Sequence, residues 1–276
     1  MKTKRVLVLG GTGKTGRKVV ERLTKNGYQV KIGSRSETPA FDWQDSYNWQ
    51  DLLDDIDAVY ITYQPDLAVP GALQSIEKLI SKIKKSSVKK VVLLSGKGEK
   101  EAELCEQVVI HSGLDYSILR CSWFNQNFSE SFFLDPIKAG YVALPKANAK
   151  VPYVDTDDIA DMALEMFENE KHSKTIYELT GPKLYTFREV IQLISRETGR
   201  DILFTEINLP AYIDMLKSHD VPADYLWLIN YLFSLVLDAE GNDTISLDIE
   251  QVLKRKPKSL EEYIVETTKT GVWSEN

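Results

Sequence analysis

Gly10, Gly13 and Gly16 recur at a spacing of three, directly after the apolar run Val6-Leu-Val-Leu and before a segment with helical spacing. That arrangement suits a strand–turn–helix that cradles the diphosphate of a dinucleotide. Gly10 permits the tight turn, Gly13 lets main chain approach the diphosphate, and Gly16 lets the helix pack on the strand. The helix start adds free N–H donors and the positive end of its dipole. Thr12, Lys14 and Thr15 lie in the same loop and join the glycines as candidate ligands. Gly13-Lys14-Thr15 is also the ending of a nucleoside-triphosphate loop. That motif requires a glycine five positions before Gly13, where Val8 stands, and so it is excluded.

The end of the second strand selects the dinucleotide. An acid there holds a ribose 2′-hydroxyl, whereas this chain has Gly33-Ser34-Arg35-Ser36. A guanidinium can grip a 2′-phosphate through a forked pair of hydrogen bonds, with Ser34 assisting. NADP(H) is therefore the preferred cofactor and NAD(H) the second choice, since Glu37 could serve a 2′-hydroxyl.

These residues need a scaffold that alternates strands and helices. Arg5 to Leu9, Tyr28 to Ile32, Ala58 to Thr62, Lys90 to Leu94, Asp115 to Leu119 and Ile176 to Thr180 read as strands. Gly16 to Lys25, Asp51 to Ile56, Pro70 to Lys85, Glu99 to His111, Asp155 to Phe167 and Thr186 to Thr198 read as helices. The stretch 135–151 is expected to be a loop or short hairpin, and 205–276 mostly helical, with a capping box at Ser259. Leu226 to Leu237 reads as a core helix. The fold class is α/β: a Rossmann-type doubly wound parallel sheet with a smaller, mostly helical C-terminal part on the substrate side. Residues 1–150 are expected to form the NAD(P)-binding Rossmann domain. Residues 151–276 would supply its last elements and the substrate-side subdomain.

The 276 residues are 43 % hydrophobic and 27 % charged, with a net charge of −7, which disfavours direct nucleic-acid binding. Apolar runs are too short to span a membrane. Cys105 and Cys121 fit a reducing, cytoplasmic setting. His111, His172 and His219 are scattered, and the Asp155, Asp157, Asp158 group reads as helix capping, so no metal is expected. Asp238 to Asp243 is out of register with a calcium loop and reads as a turn.

With these segments in view, the chain resembles the NmrA-like group of atypical short-chain dehydrogenase/reductases. The resemblance runs through the glycine loop, Leu94-Ser-Gly, Ser112-Gly-Leu-Asp-Tyr-Ser-Ile-Leu-Arg120, Trp123-Phe-Asn-Gln-Asn127, Val151-Pro-Tyr-Val-Asp-Thr-Asp-Asp-Ile-Ala160 and Tyr177-Glu-Leu-Thr-Gly-Pro182. Within the group it looks most like reductases of the festuclavine synthase/agroclavine dehydrogenase type and NAD(P)H:quinone oxidoreductases. Phe41-Asp-Trp43 and Gly271-Val-Trp273 contribute to that likeness. It implies that the nicotinamide lies near Thr62-Tyr63-Gln64, Ser95-Gly96-Lys97 and Trp123 to Asn127. Cys121 departs from the proline usual in the family after the arginine matching Arg120.

Short-chain reductases usually carry a tyrosine and a lysine four positions later, and the helix Glu99 to His111 has no tyrosine. A substrate needing only hydride from the protein fits such a chain. An iminium takes no proton at that step, and solvent can protonate the oxyanion of a quinone. The expectation is an NADPH-dependent reductase of a small conjugated electrophile, a quinone or an iminium. The alternative is a non-catalytic NADP(H)-binding redox sensor. Tyr63, Trp123 and Phe124 are candidates to stack on a flat substrate. Lys97 and Asn127 could orient a carbonyl, and Glu106 reads as a solvated helix charge. Catalytic residues are not assigned, and a homodimer or protein partner stays open.

Overall fold

Val6 to Leu9, Ala58 to Ile61 and Val91 to Leu93 carry no polar face, so each must be covered on both sides. The computed structural model describes residues 4–274, leaving the outer ends of the two expected domains outside the described residues. Its strands are β1 (Arg5–Leu9), β2 (Gln29–Gly33), β3 (Ala58–Ile61), β4 (Lys90–Gly96), β5 (Asp115–Cys121), β6 (Tyr141–Leu144), β7 (Lys150–Val151), β8 (Thr175–Leu179), β9 (Tyr185–Thr186) and β10 (Leu203–Glu206). The helices are α1 (Gly16–Lys25), α2 (Trp49–Leu52), α3 (Ala72–Ile83), α4 (Lys100–Ile110), α5 (Asn127–Glu130), α6 (Leu134–Lys138), α7 (Thr156–Glu168), α8 (Phe187–Thr198), α9 (Leu209–Ser218), α10 (Ala223–Tyr231), α11 (Asp248–Leu253) and α12 (Leu260–Thr268). A π-helical turn, Leu232–Val236, prolongs α10.

Six strands pair in parallel in the order β2-β1-β3-β4-β5-β8. Alternate side chains point to opposite faces. Leu7, Leu9, Val59, Ile61, Val91 and Leu93 meet α3 and α4 through Ile76, Leu79, Ala102 and Val109. Val6, Val8, Tyr60 and Val92 meet α1 and α7 through Val19, Leu23, Met162 and Met166. This is the doubly wound sheet expected from the sequence. The chain leaves β1 toward β2 and then returns to the opposite side as β3, so the order reverses between β1 and β3. A crevice opens at such a switch point, at the carboxyl ends of the strands.

A third core, rich in aromatics, joins Trp123, Phe128 and Phe133 to Tyr153, Phe187, Phe233 and Trp273. Here the structure corrects the reading of 135–151 as a loop or hairpin. Ile137 anchors the short helix α6, and β6 pairs in parallel with the distant β10, while β7 pairs with β9. Long-range pairing leaves no local turn signal, which is why the sequence concealed it. The second helix also differs, running only from Trp49 to Leu52, although Leu53 and Ile56 beyond it are buried as well. Capping boxes close the starts of α8 (Thr186, Glu189) and α12 (Ser259, Glu262). Asp155 caps α7 by accepting from the N–H of Asp157 at 2.8 Å.

Candidate cofactor and substrate cleft

The turn between β1 and α1 is built as the glycine spacing requires. Gly10 sits at φ +69°, in the left-handed region that glycine tolerates. A side chain on Gly16 would collide with the Gly10 carbonyl, so α1 can approach β1 this closely only at glycine. The Gly10 N–H donates to Gly33 O at 2.8 Å and the Gly13 N–H to Gly10 O at 2.9 Å. The N–H groups of Thr12, Lys14 and Thr15 bond to nothing among the described residues, and all three residues line the cleft. A loop of free amides around a glycine cradle is the donor set a diphosphate needs.

The cleft has a volume of about 930 Å³. It gathers the glycine loop (Gly10, Thr12, Gly13, Lys14, Thr15), the β2 end (Ser34, Arg35), and Thr62, Tyr63, Ser95, Lys97, Trp123, Phe124 and Asn127. Gly16 alone among the sequence candidates lies outside, beneath the loop it supports. Several of these side chains have local duties. The Thr62 hydroxyl donates to Leu9 O at 3.1 Å, tying β3 to β1. Ser34 Oγ lies 3.0 Å from both Thr12 Oγ1 and Ser36 Oγ. Arg35 is exposed, with no ion pair or hydrogen bond to the described residues.

Lys14 Nζ donates to Asn127 Oδ1 at 2.9 Å, so Asn127 orients the loop lysine in this structure. Burial pulls the Lys14 ammonium down to about 8; nearby Glu130 opposes that fall and Arg17 reinforces it. Lys97 Nζ donates to Gly241 O and Thr244 Oγ1 and pairs with Glu178 at 3.5 Å, fastening the turn after Asp238 to the end of β4. Trp123 is mostly buried against Phe133, Phe187 and Phe233, so it forms the wall between cleft and aromatic core. Tyr63 packs on Trp43 with ring centroids 4.6 Å apart.

Glu106 is a correction. It is completely buried, takes three hydrogen bonds from Arg120 at 2.6–3.0 Å, and accepts the Ser95 hydroxyl at 2.6 Å. Its place in α4 faces the β4–β5 seam, and a carboxylate there must be paired. Ser95 accordingly lines the cleft with its hydroxyl already committed.

The Trp123 to Asn127 segment is held by its own amides. Gln126 Nε2 donates to Asp155 Oδ2 at 3.0 Å, and the Thr156 N–H donates to Gln126 Oε1 at 3.1 Å. Asp157 and Asp158 do more than cap. They pair with Lys18, Arg22, Arg255 and Lys258, linking α7 to α1 and to the chain entering α12.

Phe41 and Trp43, singled out in the sequence, also line the cleft, as do Asp66, Glu99, Asp224 and Tyr225, which sequence reasoning missed. Asp66 and Glu99 both line the cleft, near enough for the charge of Asp66 to act on the Glu99 carboxyl. Glu99 is 7 % exposed. Burial first, then the charge of Asp66, pushes the Glu99 carboxyl well above the ordinary range, with Glu101 and Glu106 adding to it. Burial likewise raises Asp66. Only the parallel pairing of β3 and β4 brings them together, and neither sits in a motif.

The sheet order, the switch-point crevice and the glycine cradle define a Rossmann-type α/β protein. The chain belongs to the NmrA-like family, whose pattern matches residues 40–264. It is similar to prestalk A differentiation protein A of Dictyostelium discoideum, with 28 % identity over 95 % of this chain and 92 % of that protein. Agroclavine dehydrogenase of Claviceps fusiformis is 26 % identical over 97 % of this chain and 98 % of its own length. An Escherichia coli NADPH-dependent quinone oxidoreductase, solved in complex with NADPH, superposes with a TM-score of 0.78 at 18 % identity, covering 95 % of this chain and 99 % of that one.

Proposed function

We propose that this protein is an NADPH-dependent reductase of a small conjugated electrophile, a quinone or an iminium, with NADH as the weaker cofactor. One observation carries the reading. The amide loop, Arg35 and the aromatic wall open into a single cleft at the point where strand order reverses. The free N–H groups of Thr12, Lys14 and Thr15, with the Lys14 ammonium, would hold the diphosphate. Ser34 and Arg35 would hold the 2′-phosphate, with Thr62 and Ser95 at the edges of the strands beneath. Bound there, the reduced dinucleotide would supply a hydride. Tyr63, Trp123 and Phe124 offer flat surfaces that orient a planar acceptor and exclude water, which can account for much of a hydride-transfer rate. The oxidoreductase relatives support turnover over the sensor alternative. The test follows NADPH absorbance with a panel of quinones and cyclic iminium ions. Turnover of either class is the expected result. Tight NADPH binding without oxidation by any of them would refute the enzymatic reading.

A further inference from the structure

The described part of the cleft holds a buried acid that the hydride chemistry leaves unused. Glu99 stands at the start of α4, with its carboxyl against the Gly96 main chain, where a Cβ would overlap it. No donor among the described residues reaches its Oε2, which is buried. Asp66 follows β3 and accepts the Ala68 N–H at 2.8 Å, which fixes its orientation. A buried carboxyl with no donor at its Oε2 and a second acid beside it in the cleft favours its protonated form, because a second negative charge there is costly. Both line the cleft at the ends of β3 and β4, beside Tyr63 and Lys97.

We propose that the Asp66–Glu99 pair is the proton donor of this protein for acceptors that develop an oxyanion. The inference rests on the reductase reading above. As hydride adds to one end of a quinone, an electron pair moves onto the carbonyl oxygen. The Glu99 carboxyl proton passes to that oxygen, forming its O–H bond as the carboxyl O–H bond breaks. The pair, then doubly charged, takes a proton back from water. Its surroundings favour the protonated form. Glu101 and Glu106 on α4 add negative charge, Glu106 being partly neutralised by Arg120. The Tyr231 hydroxyl and the Cys105 and Cys121 thiols nearby are all shifted upward by burial and by these acids, so they stay neutral. Lys97 is committed to Gly241, Thr244 and Glu178.

The test compares Glu99→Gln with wild type, using menadione, which needs a proton, and an N-alkyl dihydroisoquinolinium, which needs only hydride. The quinone rate should fall about a hundredfold, the usual scale for a general acid, and at least tenfold more than the iminium rate. Cofactor-free wild type should also show the infrared carbonyl stretch of a protonated carboxyl at pH 7, absent in the variant. Asp66→Asn serves the same comparison should Glu99→Gln not fold. An unchanged quinone-to-iminium ratio, or no protonated-carboxyl band, overturns the donor role alone. Wild type inert toward both acceptors overturns the reductase reading and the donor role with it. Turnover of the iminium alone overturns the donor role.

Discussion

Replacing Lys14 by Met should weaken NADPH binding and remove its pH dependence. Lys14 lies in the glycine loop proposed to hold the diphosphate, held by Asn127 at 2.9 Å, with its ammonium lowered by burial from 10.5 to about 8. In the free protein its charge is therefore mostly present at pH 7 and mostly lost at pH 9. A diphosphate favours the charged form and raises the lysine back toward its ordinary value. Protonation is then linked to binding, and affinity must fall as pH rises through the free-protein value. If binding restores 10.5 in full, affinity drops about tenfold between pH 7 and 9. Removing the ammonium costs about 1.5–3 kcal/mol at pH 7, the range for a hydrogen bond to a charged group, and leaves a flat profile. Calorimetric titration with NADPH at pH 7, 8 and 9 reads both effects. Wild-type affinity that is constant across this range, or a variant with unaltered affinity and slope, would refute the reasoning.

Arg35→Ala should weaken NADPH binding by about 1–3 kcal/mol through loss of a charge-assisted contact, and leave NADH binding unaltered; equal losses for both would remove Arg35 from the 2′-phosphate site. Glu106→Ala strands the Arg120 guanidinium and the Ser95 hydroxyl. Arg120 keeps 23 % of its side-chain exposure, so the cost lies near the lower end of the range for a broken buried pair, about 3 kcal/mol. Tm should then fall by roughly 6–12 °C, and a scanning-calorimetry shift below about 2 °C would contradict the buried pairing.

The sequence determined whatever is local in chain distance. Gly10, Gly13 and Gly16 with their flanking strand and helix specify the turn from β1 to α1, because backbone freedom and close packing are demands on single residues. The apolar runs of β1, β3 and β4 announced a sheet covered on both faces, and Ser34-Arg35 followed from the end of β2. The likeness to a family was legible in segments such as Trp123 to Asn127, though not their work, which the structure identifies as hydrogen bonding to Asp155 and Lys14.

Tertiary structure decided what each polar side chain is committed to. Glu106 reads as a solvated helix charge until α4 packs on the β4–β5 seam and turns it to Arg120. Lys97 and Ser95 reach the cleft with their polar groups already engaged. The pairing of β6 with β10, and the meeting of Asp66 with Glu99, join residues remote along the chain and bear no periodic signature. The reason is physical: a side chain's burial, partners and protonation depend on the groups that surround it in space, whereas periodicity records only which face it shares with its near neighbours in sequence.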